Sequence, residues 1–149
     1  MIDLHRTTAQ NLDFLNLVNL LDAELAFRDG DDHTFYAQFN KVDQIGHCIV
    51  AYENSHPVGC GAFRHKDKNT VEIKRMFVEK VARKKGIATH VLEGLESWAK
   101  EMNYVTCILE TGKNQPEAIH FYLKCGYKHI PNFEPYIGIV NSVCFSKVI

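Results

Sequence analysis

The 149-residue chain contains no C-x-x-C pair, no G-x-x-x-x-G-K-[ST] run and no stretch of about 18 consecutive apolar residues. Its five cysteines, Cys48, Cys60, Cys107, Cys125 and Cys144, are odd in number and far apart, which argues against a structural zinc site or a redox couple. Most lie inside apolar runs and read as small buried hydrophobes. Without a P-loop, ATP is a poor fit. NAD fares no better, because Gly59-Cys60-Gly61 opens like a dinucleotide fingerprint but Arg64 stands where the third glycine belongs. The formal net charge of -1 lacks the basic excess of a nucleic-acid binder, so no nucleic-acid partner is expected. Met1-Ile2-Asp3-Leu4-His5-Arg6 has neither the apolar core of a signal peptide nor a lipidation motif. These absences predict a reduced, cytoplasmic setting with no membrane partner. No repeat, low-complexity tract or linker divides the chain, so residues 1–149 are expected to form a single domain that needs no metal.

What is present is a regular alternation of strands and helices. Ile2 to Arg6 reads as a first strand, and Thr7-Thr8-Ala9-Gln10 offers a capping box for a helix carrying Leu12, Leu15, Leu17, Val18, Leu20, Leu21 and Leu25. Arg28 to Asp32 ends it, and His33 to Phe39 reads as a shorter helix. His47 to Tyr52 and Pro57 to Arg64 make an antiparallel hairpin, with Gly59 and Gly61 marking a bulge or a close packing contact. Beyond a long central helix, Tyr104 to Glu110 is a strand and Pro116 to Cys125 a helix, started by proline and stopped by Gly126. Tyr127 onward and Ser142 to Val148 are the last strands. The connection from the strand that precedes the central helix to the Tyr104 strand should cross over right-handed and leave those two strands parallel.

The centre of the pattern runs from Thr70 to Met102. Thr70 to Val78 is apolar and β-branched enough for a buried strand; from Ile87 the apolar residues recur at Val91, Leu92, Leu95, Trp98 and Ala99, the helical period. Between them lies Arg83-Lys84-Lys85-Gly86. A helix start leaves about four N–H groups unpaired beside a partial positive charge, so Gly86 and this basic rim suit a phosphate cradle. The same residues also suit a basic surface turn.

Arg83-Lys84-Lys85-Gly86-Ile87-Ala88 resembles the R/Q-x-x-G-x-G/A pyrophosphate motif of the GNAT N-acetyltransferase superfamily. Asn114-Gln115-Pro116-Glu117-Ala118-Ile119-His120-Phe121-Tyr122-Leu123-Lys124-Cys125-Gly126-Tyr127 is similar to its N-x-x-x-A-x-x-F/L-Y-x-x-x-G-F/Y signature. The resemblance is strongest from Glu72 to Tyr127. It implies an α/β (α+β) fold, a mixed sheet of about six to seven strands with helices on both faces, in which splayed parallel strands form an acetyl-CoA cleft. It further implies direct acetyl transfer in a ternary complex to a primary amine of a small molecule or peptide. The alternative is a non-catalytic acyl-CoA-binding module. In the family's manner the diphosphate would lie on Arg83, Lys84, Lys85, Gly86, Ile87, Ala88 and Thr89, and the pantetheine arm along Met76, Phe77 and Val78. Asn114 would touch the cofactor or cap the next helix. A homodimer through the last strands is compatible with the fold.

An alkylamine of pKa about 10.4 is a free nucleophile in roughly one molecule in a few thousand at neutral pH, equivalent to about 4 to 5 kcal/mol of barrier. Glu72 precedes Arg83 by the interval at which some GNAT histone acetyltransferases place a catalytic glutamate, and is a candidate base; it can equally pair with Lys74 on the same strand face. Tyr122 stands where the family commonly holds the tyrosine that protonates the departing thiolate. His120 is read as surface, and no base near Cys125 in sequence supports an acetyl-cysteine intermediate. Asp31, Asp32 and Glu134, with Phe35, Tyr36, Phe133 and Tyr136, are candidates for an acceptor pocket.

Overall fold

The computed structural model describes residues 1–29 and 46–149. The expected helix from His33 to Phe39, and with it Asp31, Asp32, Phe35 and Tyr36, lies outside the described residues. The strands are β1 (Ile2–Thr7), β2 (His47–Glu53), β3 (His56–Asp67), β4 (Thr70–Val78), β5 (Thr106–Gly112), β6 (Lys128–Ile130) and β7 (Ser142–Val148). The helices are α1 (Leu12–Asp29), α2 (Ile87–Glu101) and α3 (Pro116–Lys124). One seven-stranded sheet runs in the order β1-β2-β3-β4-β5-β7-β6. The β4–β5 pair is parallel, and the other pairs are antiparallel. The expected mixed sheet and parallel crossover are both present.

Strand alternation assigns the two faces. Ile49, Ala51, Phe63, Val71 and Ile73 pack with Val91, Leu92 and Leu95 of α2, while Cys48, Val50, Cys60 and Ala62 pack with Phe14, Leu17, Val18 and Leu21 of α1. Each such side chain contributes about 1.5 to 3 kcal/mol when fully buried. Gly61 lets α2 press against the sheet, because a Cβ there would come within 2.5 Å of Met76 Sδ and 2.9 Å of Val91 and Leu95 side-chain atoms. Both glycines therefore sit at close packing contacts, and Gly61 also falls in a break of the β3–β4 register.

Two sequence expectations are corrected. Thr7 belongs to β1, paired with Cys48, so it cannot start α1; the Oδ1 of Asn11 instead accepts the Phe14 N–H at 2.9 Å. Strand β5 begins at Thr106 rather than Tyr104, since the Val105 and Thr106 amides both donate to the Asn69 carbonyl, at 2.8 and 3.1 Å.

The β3–β4 ladder carries a bulge. Cys60 faces Phe77 and Ala62 faces Lys74, so Gly61 alone stands opposite both Arg75 and Met76. Arg75 adopts φ +59°, the left-handed region. The extra residue leaves Arg75 on the same side as Lys74, away from α2, with Lys74 reaching Tyr136 and Arg75 reaching Asp22 of α1.

Candidate active site

Backbone pairing between β4 and β5 stops at Glu72 opposite Ile108. Beyond that point β4 stays bonded to β3 as far as Val78, and β5 to β7 as far as Gly112, so their inner edges diverge. The resulting V has a floor of strand residues and walls from α2 and α3. Unpaired main-chain groups along such an edge can accept an extended ligand as an additional strand.

At its mouth the chain leaves β4, makes a 3-10 turn over Lys80–Ala82 and enters α2 through Gly86 at φ +81°. A Cβ at Gly86 would meet nothing within 4 Å, so the space above the helix start is open. The first amides of α2 face that space with no intrahelical acceptors. The donor set and the open approach fit a diphosphate.

A cleft of about 980 Å³ joins mouth and V, lined by Met76, Phe77, Val78, Arg83, Lys84, Gly86, Ile87, Ala88, Thr89 and Tyr122 among others. Lys85 does not line it; its ammonium reaches Glu53 at 3.2 Å. Asn114 is exposed and also outside the lining, whereas its neighbour Gln115 contributes. Arg83 faces inward: Nε donates to the Val78 carbonyl at 2.7 Å, a terminal nitrogen bonds both Glu24 oxygens at 3.0 and 3.2 Å, and the guanidinium lies 5.5 Å from the Phe77 ring. Its charge is thus paired with Glu24 at the wall of the cleft, which Lys84 also lines.

Near the apex a second, smaller cavity of about 120 Å³ opens toward α1, lined by Leu21, Leu25, Glu72, Lys74, Glu110 and Tyr136 together with Tyr122. Tyr122 thus borders both spaces. It is 7% exposed, burial raises its pKa well above the ordinary phenol value, and its hydroxyl bonds no group among the described residues. The phenol keeps its proton across the physiological range.

Glu72 is 1% exposed and accepts from Arg64 Nε at 3.0 Å, Lys74 Nζ at 3.5 Å and the Tyr136 hydroxyl at 3.2 Å. Burial lowers the Lys74 pKa and raises that of Tyr136. Tyr136 reaches this cluster from the loop between β6 and β7, where the Asn132 side-chain amide donates to the carbonyls of Tyr136, Ile139 and Ser142. Phe133 stacks edge-on against Tyr136, while Glu134 is exposed. His120 is exposed, as expected. Glu110, which sequence reasoning read only as the end of a strand, joins the cavity with Ser142 Oγ donating to it at 2.7 Å. Its signal lay in being two residues beyond Ile108, on the same strand face, where the parallel pairing ends.

Comparison with known proteins agrees with this geometry. Residues 14–127 match the family model described as Acetyltransferase (GNAT) family. Among curated relatives, Probable N-acetyltransferase 14 of Xenopus tropicalis is 31% identical over 105 residues, which is 70% of this chain and 50% of that protein. The IAA acetyltransferase of Azospirillum brasilense is 36% identical over 89 residues, 59% of this chain and 58% of that one. The chain therefore spans about half the length of these relatives. Among solved structures, a GNAT family acetyltransferase from Elizabethkingia anophelis with acetyl-CoA bound superposes with a TM-score of 0.74 at 19% identity, covering 99% of this chain and 98% of that one. That likeness speaks for the fold. With a family model matched over most of its length, on a sheet that splays where a cofactor would enter, the chain belongs to the GNAT acetyltransferase family.

Proposed function

We propose that the protein is an acetyl-CoA-dependent N-acetyltransferase that moves an acetyl group directly to a primary amine of a small molecule or peptide. The observation that carries this reading is the position of Tyr122, on the wall shared by the large cleft and the small polar cavity. A thioester entering from one side and an amine from the other would meet beside a protonated phenol.

Acetyl-CoA supplies the acetyl group on a thioester and leaves as a thiol. The chain supplies the rest. Amides at the start of α2 and Lys84 hold the diphosphate, and Met76 to Val78 offer main-chain groups to the pantetheine. Tyr122 holds a proton at its hydroxyl for the departing sulfur; general acid catalysis of this kind contributes about 10²- to 10⁴-fold. The ammonium of the acceptor must first lose a proton, and the cavity presents two carboxylates, Glu72 and Glu110. Glu72 is one candidate base, working directly or through a water. Glu110 is the second candidate. In Glu72→Gln and Glu110→Gln, the variant that has lost the base keeps its acetyl-CoA affinity but regains turnover as pH rises and the amine deprotonates unaided.

The decisive experiment is a screen of amines and peptides for free-thiol release from acetyl-CoA. Acceptor-dependent release abolished or sharply reduced in Tyr122→Phe supports the enzyme. Tight acetyl-CoA binding with no release from any acceptor would leave an acyl-CoA-binding module in its place.

A further inference from the structure

The Arg75 guanidinium is an unusual occupant of the sheet. Its side chain is 1% exposed, its Nε has no hydrogen-bond partner among the described residues, and its terminal nitrogen bonds the Asp22 carboxylate and lies 3.5 Å from the Val18 carbonyl. Asp22 is half exposed, on the side of α1 that faces the bulge. The backbone of Arg75 is also unusual, since φ +59° is a conformation that residues with a Cβ avoid. The two features sit on one residue. A buried charge needs its counter-charge, and here the counter-charge holds the side chain where the left-handed backbone puts it. The Cys60 thiol donates to the Arg75 carbonyl at 3.4 Å, tying the other side of the bulge to β3.

The bulge sets the direction of the residues that follow. Because it inserts one residue, Phe77 faces the α1 core and Val78 the α2 core, and Met76 borders the cleft. Without it, period-two alternation would turn each of these side chains to the opposite face. Main-chain groups offered to an extended ligand at Met76 to Val78 therefore depend on the bulge.

We propose that Asp22 is a positioning residue for the cofactor: through Arg75 it holds the β4 bulge, and with it the ligand-binding edge of the strand, without touching the ligand. This rests on the reading that the V-shaped cleft binds acetyl-CoA.

The test is calorimetric titration of coenzyme A into wild type, Asp22→Asn, Arg75→Gly, Arg75→Ala and the Asp22→Asn/Arg75→Gly double variant, with thermal unfolding of each. Glycine adopts φ +59° freely and carries no charge to neutralise. Asp22→Asn is expected to weaken coenzyme A about tenfold, a size usual for residues that act through an intermediate network. Arg75→Gly should bind near the wild-type level, Arg75→Ala less well, and the double variant like Arg75→Gly. The Arg75 variants remove the buried charge, so the double variant compared with Arg75→Gly still tests whether Asp22 acts through Arg75 even if Asp22→Asn fails to fold. Equal affinities in Arg75→Gly and Arg75→Ala, or an undiminished effect of Asp22→Asn in the Arg75→Gly background, would overturn the proposal. A wild-type protein that ignores coenzyme A would overturn the functional reading itself, whereas a binding wild type matched by Asp22→Asn would overturn this inference alone.

Discussion

Gly86→Val tests whether main-chain amides, rather than the basic rim, capture the cofactor. Gly86 caps α2 at φ +81°, and a side chain added there meets only the open space through which a diphosphate would approach. Valine has two ways to weaken binding. Holding a β-branched residue in the left-handed region costs about 1 to 2 kcal/mol, so the backbone relaxes and the amides turn away. Its side chain also displaces the anion from at least one charge-assisted hydrogen bond, worth about 1.5 to 3 kcal/mol. The sum, about 3 kcal/mol or more, corresponds to a loss of about 100-fold in the Kd for acetyl-CoA. Lys84 is exposed, and deleting an exposed charge costs about 1 kcal/mol at most, so Lys84→Ala should lose no more than about fivefold. Gly86→Asn separates the two causes, because asparagine tolerates positive φ and keeps only the occlusion; about tenfold is expected. The assay is isothermal titration of acetyl-CoA into each variant, with thermal unfolding to confirm folding. Equal losses in Gly86→Val and Lys84→Ala would refute the amide cradle and transfer the binding to the lysines.

Tyr122→Phe should lower kcat by about 10²- to 10⁴-fold while leaving acetyl-CoA affinity within twofold or so in titration, since the hydroxyl acts on the leaving group. Because burial raises the Tyr122 pKa, the alkaline fall in rate that this acid causes should come above the ordinary phenol value of about 10, and a fall centred at about 10 that is lost in Tyr122→Phe would contradict the upward shift. Lys74 has a lowered pKa through burial, so between that value and the unfolded value of about 10.4 the unfolded chain binds more protons and stability rises with pH. Chemical denaturation across that window should show the rise in wild type and lose this part of it in Lys74→Met. Burial pushes the thiols of Cys48, Cys60 and Cys107 up to about 12 and that of Cys144 to about 11, whereas Cys125 is less buried and lines the large cleft. A disulfide reagent at pH 8 should therefore label Cys125 first, and saturating acetyl-CoA should protect it; mass spectrometry of the labelled peptides reads both.

The parts of the fold legible in the sequence are those whose cause is local. Thr70 to Met102 announces itself because an apolar strand gives way, across a glycine, to residues spaced at the helical period, and the structure places β4 and α2 there. Pro116 and Gly126 mark the ends of α3 for equally local reasons, a missing N–H and a backbone at φ +95°. The first helix cap was misplaced for a cause four residues and a strand away: Thr7 is consumed by its pairing with Cys48, so Asn11 takes the role. The fates of the basic residues were not legible at all. Arg83 and Lys85 look alike as rim charges, yet one turns inward to Glu24 and the other outward to Glu53, partners set by tertiary packing. Glu110 and Tyr136 reach the apex cavity only because β4 and β5 part company after Glu72 and the β6–β7 loop folds back over the gap.

That apex also bears on why the cluster exists. Glu72, Lys74 and Tyr136 are buried together, with Arg64 closing one side and Glu110 bordering the same cavity. Stability alone is a poor reason for the arrangement, because desolvating ions in a sheet commonly costs as much as their mutual attraction returns, and apolar residues of similar volume often hold as well. Nor do Glu72 and Lys74 complete an otherwise apolar layer, since their face of the sheet opens toward a cavity rather than a packed core. Their placement makes sense if a charged or hydrogen-bonding guest arrives there. A polar acceptor entering this cavity exchanges water for fixed donors and carboxylates, which need little reorganisation when an ammonium loses its proton. On the proposed mechanism Tyr122, at the boundary with the large cleft, would supply a proton where sulfur leaves, and a carboxylate of this cavity would remove one where the amine enters.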